Sequence, residues 1–225
     1  MSIRDFIANP ESYSKGHVVQ FSHLAADVSP AASGMQIAAT MNNWGGNWTA
    51  EHYTMIAGQF TDFTFYGDTN PVTGDHIRIG KTKRDMHSVC CRTVGVDQGI
   101  RFLPWKANTV TYMDLDAAAT TFFTGPLSGC SIFVGRTAGG QWTVFHANRN
   151  NTPDNSGAVK VAMTTDVITR LPAPIPVVHA AIYGRDYHDF GFVFGRVVHG
   201  NWRFYIADTR MLARGGYATR VNRLR

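Results

Sequence analysis

The sequence predicts an α/β protein, a sandwich of mixed, mainly antiparallel β-sheets flanked by a few helices and long loops. Three observations carry that expectation. Short β-prone runs recur along the whole chain, and only one stretch has the signals of a long helix. Gly, Pro and Asn clusters punctuate the runs at short intervals. Hydrophobic residues make up 44% and charged residues 16% of the 225, so there is apolar material for a core while much of the surface is Thr, Asn, Ser and Gly. The length fits one domain with a substantial core or two small ones. There is no internal repeat or low-complexity tract, and few helices accompany the strands, so a single domain over 1–225 is expected.

The elements follow in order. Residues 1–16 are polar, with Pro10 and Gly16 as breakers, and form either a short helix or a loose segment. His17 to Ala25 and Met35 to Met41 read as strands, separated by a Ser-Pro-Ala-Ala-Ser-Gly loop. Asn42 to Trp48 is a turn segment with two Trp, expected to pack on the core. His52 to Ala57, Phe60 to Tyr66, Ile77 to Lys83, Ser88 to Val96, Ile100 to Leu103 and Thr109 to Leu115 continue the strand series, with a turn at Asp68 to Gly74. Ser156 to Leu171 is the helix, capped by Asn155 or Ser156 and closed by Pro172. Val177 to Tyr183, Gly191 to Val198 and Trp202 to Ala207 are the last strands, the final two joined by a tight turn at His199-Gly200-Asn201.

The stretch Phe122 to Asn148 holds the candidate chemistry. Cys130 opens the apolar run Ile132 to Val134, Ala138-Gly139-Gly140 signals a turn, and Trp142 to Phe145 leads to His146. The pattern is a β-hairpin. A three-residue loop Thr137-Ala138-Gly139, with Gly139 left-handed, would pair Arg136 with Gly140 and set Cys130 directly opposite His146. Directly opposed Cβ atoms lie roughly 4.5–5.5 Å apart, within reach of a sulfur–imidazole contact. A two-residue loop would shift the register by one and weaken that placement. A lone Cys in a strand is otherwise a small buried hydrophobe, and a lone His a satisfied structural residue. Trp142 is expected in the core.

Leu127-Ser128-Gly129-Cys130, with His146 on the next strand and Thr124 six residues before the Cys, resembles the glutamine deamidase superfamily of the Burkholderia lethal factor and the cytotoxic necrotizing factors. Leu103-Pro104-Trp105-Lys106 and Phe122-Phe123-Thr124 are similar to the lethal factor in the same order. The likeness covers roughly 100–148. It implies a toxin or effector that deamidates one Gln of a host protein to Glu, releasing ammonia. Known superfamily targets are Rho-family GTPases and a translation-initiation RNA helicase. It also implies catalytic roles for Cys130 as nucleophile, His146 as base and Thr124 as a positioning hydroxyl, with backbone support from Leu127, Ser128 and Gly129. Thiol chemistry on a carboxamide needs a nucleophilic sulfur, a base and donors for the developing oxyanion, and Gly129-Cys130 N–H groups suit the last role. Without the resemblance, Thr124 reads as a hydroxyl capping the Gly125-Pro126 turn. A His-activated thiolate is expected to react faster than Cys90 or Cys91, which read as structural. A cysteine protease or transglutaminase using the same pair, or a non-catalytic aromatic-rich binding module, are the alternatives.

Composition bounds the rest. Net charge is +5, and residues 196–225 hold seven Arg against one Asp, so the basic excess is C-terminal. An acidic surface on a partner is one reading of it, and a solvated strand and tail the plainer one; nucleic acid is not expected. Three cysteines, two of them adjacent, are no disulfide framework. Asp75-His76, Asp85-Met86-His87 and the Cys90-Cys91 pair lack metal-site spacing, so neither a metal nor any other cofactor is expected. No run approaches ~18 apolar residues, so no membrane span is expected. The N-terminus has no signal-peptide core, so no classical leader is expected. The resemblance implies secretion or injection by another route and action in a host cytosol; a monomer is expected.

Overall fold

The structure, a computed structural model, describes residues 6, 8–21, 36–41, 48–49, 64–65, 78–79, 84–90, 99–103, 109–125, 127–148, 157–171, 173–211 and 217–225. The expected turn at 42–47, the strand at 52–57, the turn at 68–74, Asp75-His76, Cys91 and Pro104 to Lys106 lie outside the described residues.

Two large sheets face each other. The first runs β12 (Val177–Ala181), β10 (Ser131–Arg136), β11 (Trp142–Ala147), β8 (Thr109–Leu115), β2 (Gln36–Met41) and β3 (Trp48–Thr49), all antiparallel. The second runs β15 (Tyr217–Arg223), β14 (Asn201–Met211), β13 (Phe190–Val198), β9 (Thr121–Thr124) and β7 (Ile100–Leu103). Its strands are antiparallel except for the parallel pair β7 and β9. A small third sheet holds β1 (Val18–Phe21), parallel to β6 (Arg84–Cys90), with β4 (Thr64–Phe65) and β5 (Arg78–Ile79) pairing on β6. The expected sandwich of mixed, mainly antiparallel sheets is the fold.

Strand alternation sorts the side chains into layers. Ile132, Val134, Val144, Met113 and Leu115 of the first sheet meet Phe122, Val193, Phe204, Ile206 and Leu103 of the second in the central core. The outer face of the second sheet carries Phe123, Phe192, Phe194 and Tyr205 and is covered by Phe6 and Tyr13 of the N-terminal segment. The outer face of the first carries Phe133, Phe145, Val110 and Tyr112 and is covered by Val159 and Ile175. Fully burying one such side chain stabilises by roughly 1.5–3 kcal/mol, so the two buried sheet faces dominate the energetics.

Tyr13 and Val159 belong to the two helices, which do part of this covering. α1 (Pro10–Gly16) starts where the Asn9 side chain accepts the Ser12 N–H at 3.2 Å. Pro10, which the sequence marks as a breaker, sits in the first turn, where its missing N–H costs nothing. α2 (Gly157–Arg170) coincides with the expected helix and lies against β8, β10 and β11. At its start Gly157 is close to Ile182, where a Cβ would fall 2.4 Å from Cγ2.

Two details sharpen the sequence reading. The Arg-rich C-terminus, read as a solvated strand and tail, forms a strand to Arg223: β15 pairs with β14 over seven residues, and Leu224 is buried in the central core. The turn between β13 and β14 has both central residues left-handed, His199 at φ 49° and Gly200 at φ 75°, with Val198 pairing Asn201. This is the two-residue hairpin geometry that matches strand twist.

Candidate functional site

The hairpin β10–β11 positions the candidate pair, and its register departs from expectation. Thr137 N–H donates to Gln141 O at 2.9 Å, Gly140 N–H donates to Thr137 O at 2.9 Å, and Gly140 has φ 87°. The loop is therefore Ala138-Gly139-Gly140, one residue later than expected, with Gly140 rather than Gly139 in the left-handed place. The consequence is that Arg136 pairs with Trp142, and His146 pairs with Ile132, not Cys130. Because the slip moves both strands by one residue, side-chain faces are preserved. Cys130, Ile132, Val134, Val144 and His146 still share the inward face. Ser131 pairs with Ala147 at the end of the ladder, so the position facing Cys130 belongs to Asn148.

Asn148 occupies it. Its Nδ2 donates to the Cys130 sulfur at 3.0 Å, and both residues are buried. His146 is one pair further in, a diagonal neighbour at a Cβ spacing of up to roughly 7–8 Å. Neither imidazole nitrogen has a hydrogen-bond partner among the described residues. The expected thiol–imidazole hydrogen bond is therefore not formed.

Burial sets the charges. It pushes the thiol up to about 11, and the Asn148 amide, the Lys160 charge and the Ser128 backbone pull the other way. Burial also lowers the imidazole to about 3; the Leu103 carbonyl leans the other way, without hydrogen-bond geometry to the ring. At neutral pH this is a neutral thiol beside a neutral imidazole, so the expected preformed thiolate is absent at rest. Desolvation disfavours both ions of the pair.

Thr124 ends β9 on the inward face, paired with Leu103 of β7. Its hydroxyl oxygen accepts the Val193 N–H at 2.9 Å, and the residue is fully buried. This hydroxyl ties β9 to β13. Leu127 is fully buried and forms an isolated antiparallel bridge with Gly191. Ser128 is exposed, and Gly129 has φ 115°, a conformation that glycine adopts far more readily than other residues. Gly129 N–H donates to Tyr187 Oη at 3.2 Å, and that hydroxyl donates to the Cys130 carbonyl at 2.5 Å. The Gly129 N–H is therefore not a free oxyanion donor.

No protein-family model and no curated protein matches the chain. Among solved structures it is similar to the C-terminal domain of CNFy from Yersinia pseudotuberculosis, with a TM-score of 0.41 and 8% identity over 82% of this chain and 85% of that one. A likeness this distant does not define a family.

Three residues at the site were not singled out from sequence. Asn148 had a signal: it is two residues past His146, hence on the same strand face. Tyr187 lies in a stretch that reads as a plain connection, and nothing there marks it. Its phenol is held well above its ordinary value by burial and then by the nearby Cys130. Lys160, on α2, is fully buried, with Nζ 5.4 Å from the centroid of the Tyr183 ring. Tyr183 meets Tyr187 edge-on at 5.5 Å, and its N–H donates to Ser131 Oγ at 3.3 Å. This chain of contacts brings a cation toward the thiol.

An open cleft of ≈ 450 Å³ lies elsewhere, at the turn end of β10–β11, lined by Trp142, Trp202, Gln141 and Asp116. Trp142 packs on Phe204 at 5.4 Å and His179 at 5.9 Å, as expected of a core residue. Among the described residues no cluster of His, Cys, Asp and Glu is arranged to hold a metal ion. No described helix is long and apolar enough to cross a membrane.

Proposed function

We propose that the chain is a single catalytic domain, 1–225, that deamidates a glutamine of a host protein through a Cys130 thioester. The observation that carries the reading is the inward face at the end of β10–β11: a thiol, an imidazole without a hydrogen-bond partner among the described residues, and an amide donor on the sulfur lie together there. A buried imidazole with no partner costs stability, and such costs are concentrated at functional sites. The Leu127-Ser128-Gly129-Cys130 resemblance supports the same reading.

In this reading the Gln side chain approaches past exposed Ser128. Cys130 sulfur bonds to the carboxamide carbon as its proton passes to His146, which rests neutral with its lone pair available. Catalytic hydrogen bonds are often long without substrate and tighten once it binds, which accommodates the diagonal spacing. Collapse of the tetrahedral species expels ammonia, which takes the proton from His146. Water then cleaves the thioester to Glu and restores the thiol. Thr124 acts through β13, holding the wall opposite the hairpin. The arginines of β13–β15 would meet an acidic surface of the target, and action in the host cytosol follows from such a target.

Mass spectrometry of host lysate treated with wild type and Cys130→Ser tests this, with a translation-initiation RNA helicase and Rho-family GTPases inspected first. The expected result is a +1 Da Gln-to-Glu shift, about one mass unit, confined to wild type, since Ser is a far poorer nucleophile. Peptide cleavage or an amine cross-link in its place would reassign the pair to a protease or transglutaminase. An active Cys130→Ser variant would end the proposal.

A further inference from the structure

We propose that Asn148 is a catalytic residue: its side-chain amide holds the Cys130 sulfur at rest and passes to the carbonyl oxygen of the bound carboxamide as the S–C bond forms. This rests on the thioester reading above and supplies it with a side-chain oxyanion donor.

Asn148 Nδ2 is 3.0 Å from the reacting sulfur. The residue faces Cys130 in the continued register of β10 and β11, and it is 3% exposed, so the amide works where little water competes. Of the two backbone donors expected for this role, Gly129 N–H is given to Tyr187, which leaves Cys130 N–H and the Asn148 amide beside the sulfur. The Tyr187 hydroxyl is in turn given to the Cys130 carbonyl. These two bonds shape the nucleophile loop and leave neither group for the substrate.

The balance of the step shows why the amide can change partners. The S–C bond forms, the thiol proton goes to His146, and the C=O electron pair moves to oxygen. The sulfur commits to the S–C bond the lone pair that faced the amide N–H, as the oxygen gains negative charge. That oxygen is on the carbon bonded to sulfur, so a donor already at hydrogen-bond distance from sulfur needs only a side-chain rotation to reach it. A side-chain amide is an established kind of oxyanion donor, and removing one costs about 10²–10³ in rate.

The test compares two reactions of Cys130 in the intact chain. Acylation by 4-nitrophenyl acetate passes through a tetrahedral oxyanion. Alkylation by iodoacetamide displaces iodide at a saturated carbon and forms none. In Asn148→Ala, acylation is expected to fall about a hundredfold or more relative to alkylation, both measured at saturating pH. Asn148→Ser, which keeps a smaller donor, should recover part of the loss. Equal losses in the two reactions would mean that Asn148 only orders the thiol, and the proposal would fail. A wild-type thiol that alkylates but never acylates would also overturn it. Should Asn148→Ala not fold, Asn148→Asp is close in shape, lacks the N–H donors and must show the same selective loss of acylation. None of these measurements needs the host target, so a failure to find deamidation in lysate strikes the proposed function and leaves this comparison to stand or fall separately.

Discussion

Replacing His146 by Leu should make the fold resist acid. In the folded chain burial lowers the imidazole to about 3 from an ordinary 6.5, and neither nitrogen is paired among the described residues. The unfolded chain therefore binds the extra proton at moderate acidity. Stability from this group is fully present above pH 6.5 and drains away as the pH falls toward 3. Between pH 7 and about 4.5 the unfolded imidazole is protonated nearly completely and the folded one hardly at all. At about 1.4 kcal/mol per pKa unit, His146 alone should remove about 2–3 kcal/mol over that interval. Leu has similar bulk and no polar atoms, so His146→Leu should lose that part of the pH dependence. It should also gain about 1 kcal/mol at pH 7, because two buried orphan nitrogens disappear. Urea unfolding of both chains at pH 7 and 4.5 measures the difference. Parallel losses on acidification would show that the imidazole is solvated or paired in solution and would refute the reasoning. The stabilised variant should have no base and hence no turnover.

Four further outcomes follow from the same contacts. Thr124→Ala strands the buried Val193 N–H and should cost about 1–3 kcal/mol in urea unfolding, while Thr124→Ser stays near wild type; equal stabilities would remove the tie between β9 and β13. Tyr187→Phe deletes the hydroxyl that links Gly129 to the Cys130 carbonyl, at a similar cost of about 1–3 kcal/mol, and should loosen the nucleophile loop enough to be seen in amide exchange at Gly129. Lys160→Met removes the positive charge that favours the thiolate, so the alkylation profile of Cys130 should move to higher pH, and Lys160→Arg should restore part of the shift; an unmoved profile would exclude the coupling. Deleting 213–225 removes β15 and the buried Leu224, so calorimetry should show loss of the cooperative transition; a folded, merely less basic protein would contradict the strand pairing.

The strand runs at 36–41, 100–103, 109–115 and 190–198 and the helix at 157–170 were legible because each depends on local pattern: β-prone composition, turn residues and caps. Cys130 and His146 were expected on one face of a hairpin, and the period of two along each strand keeps them on the inward face of β10–β11. What the sequence could not decide was register. Ala138-Gly139-Gly140 offers two adjacent glycines for one left-handed position, and the choice of Gly140 moves Asn148 to the place expected for His146. It also could not decide charge, because a thiol at about 11 and an imidazole at about 3 reflect burial between two sheets. Nor could it bring Tyr187 and Lys160 to the site, since each comes from a different element and meets Cys130 only after the layers pack. The same holds for the Arg-rich C-terminus: its composition reads as a solvated strand and tail, and only the seven pairings with β14 and the burial of Leu224 fix where that strand lies in the sheet.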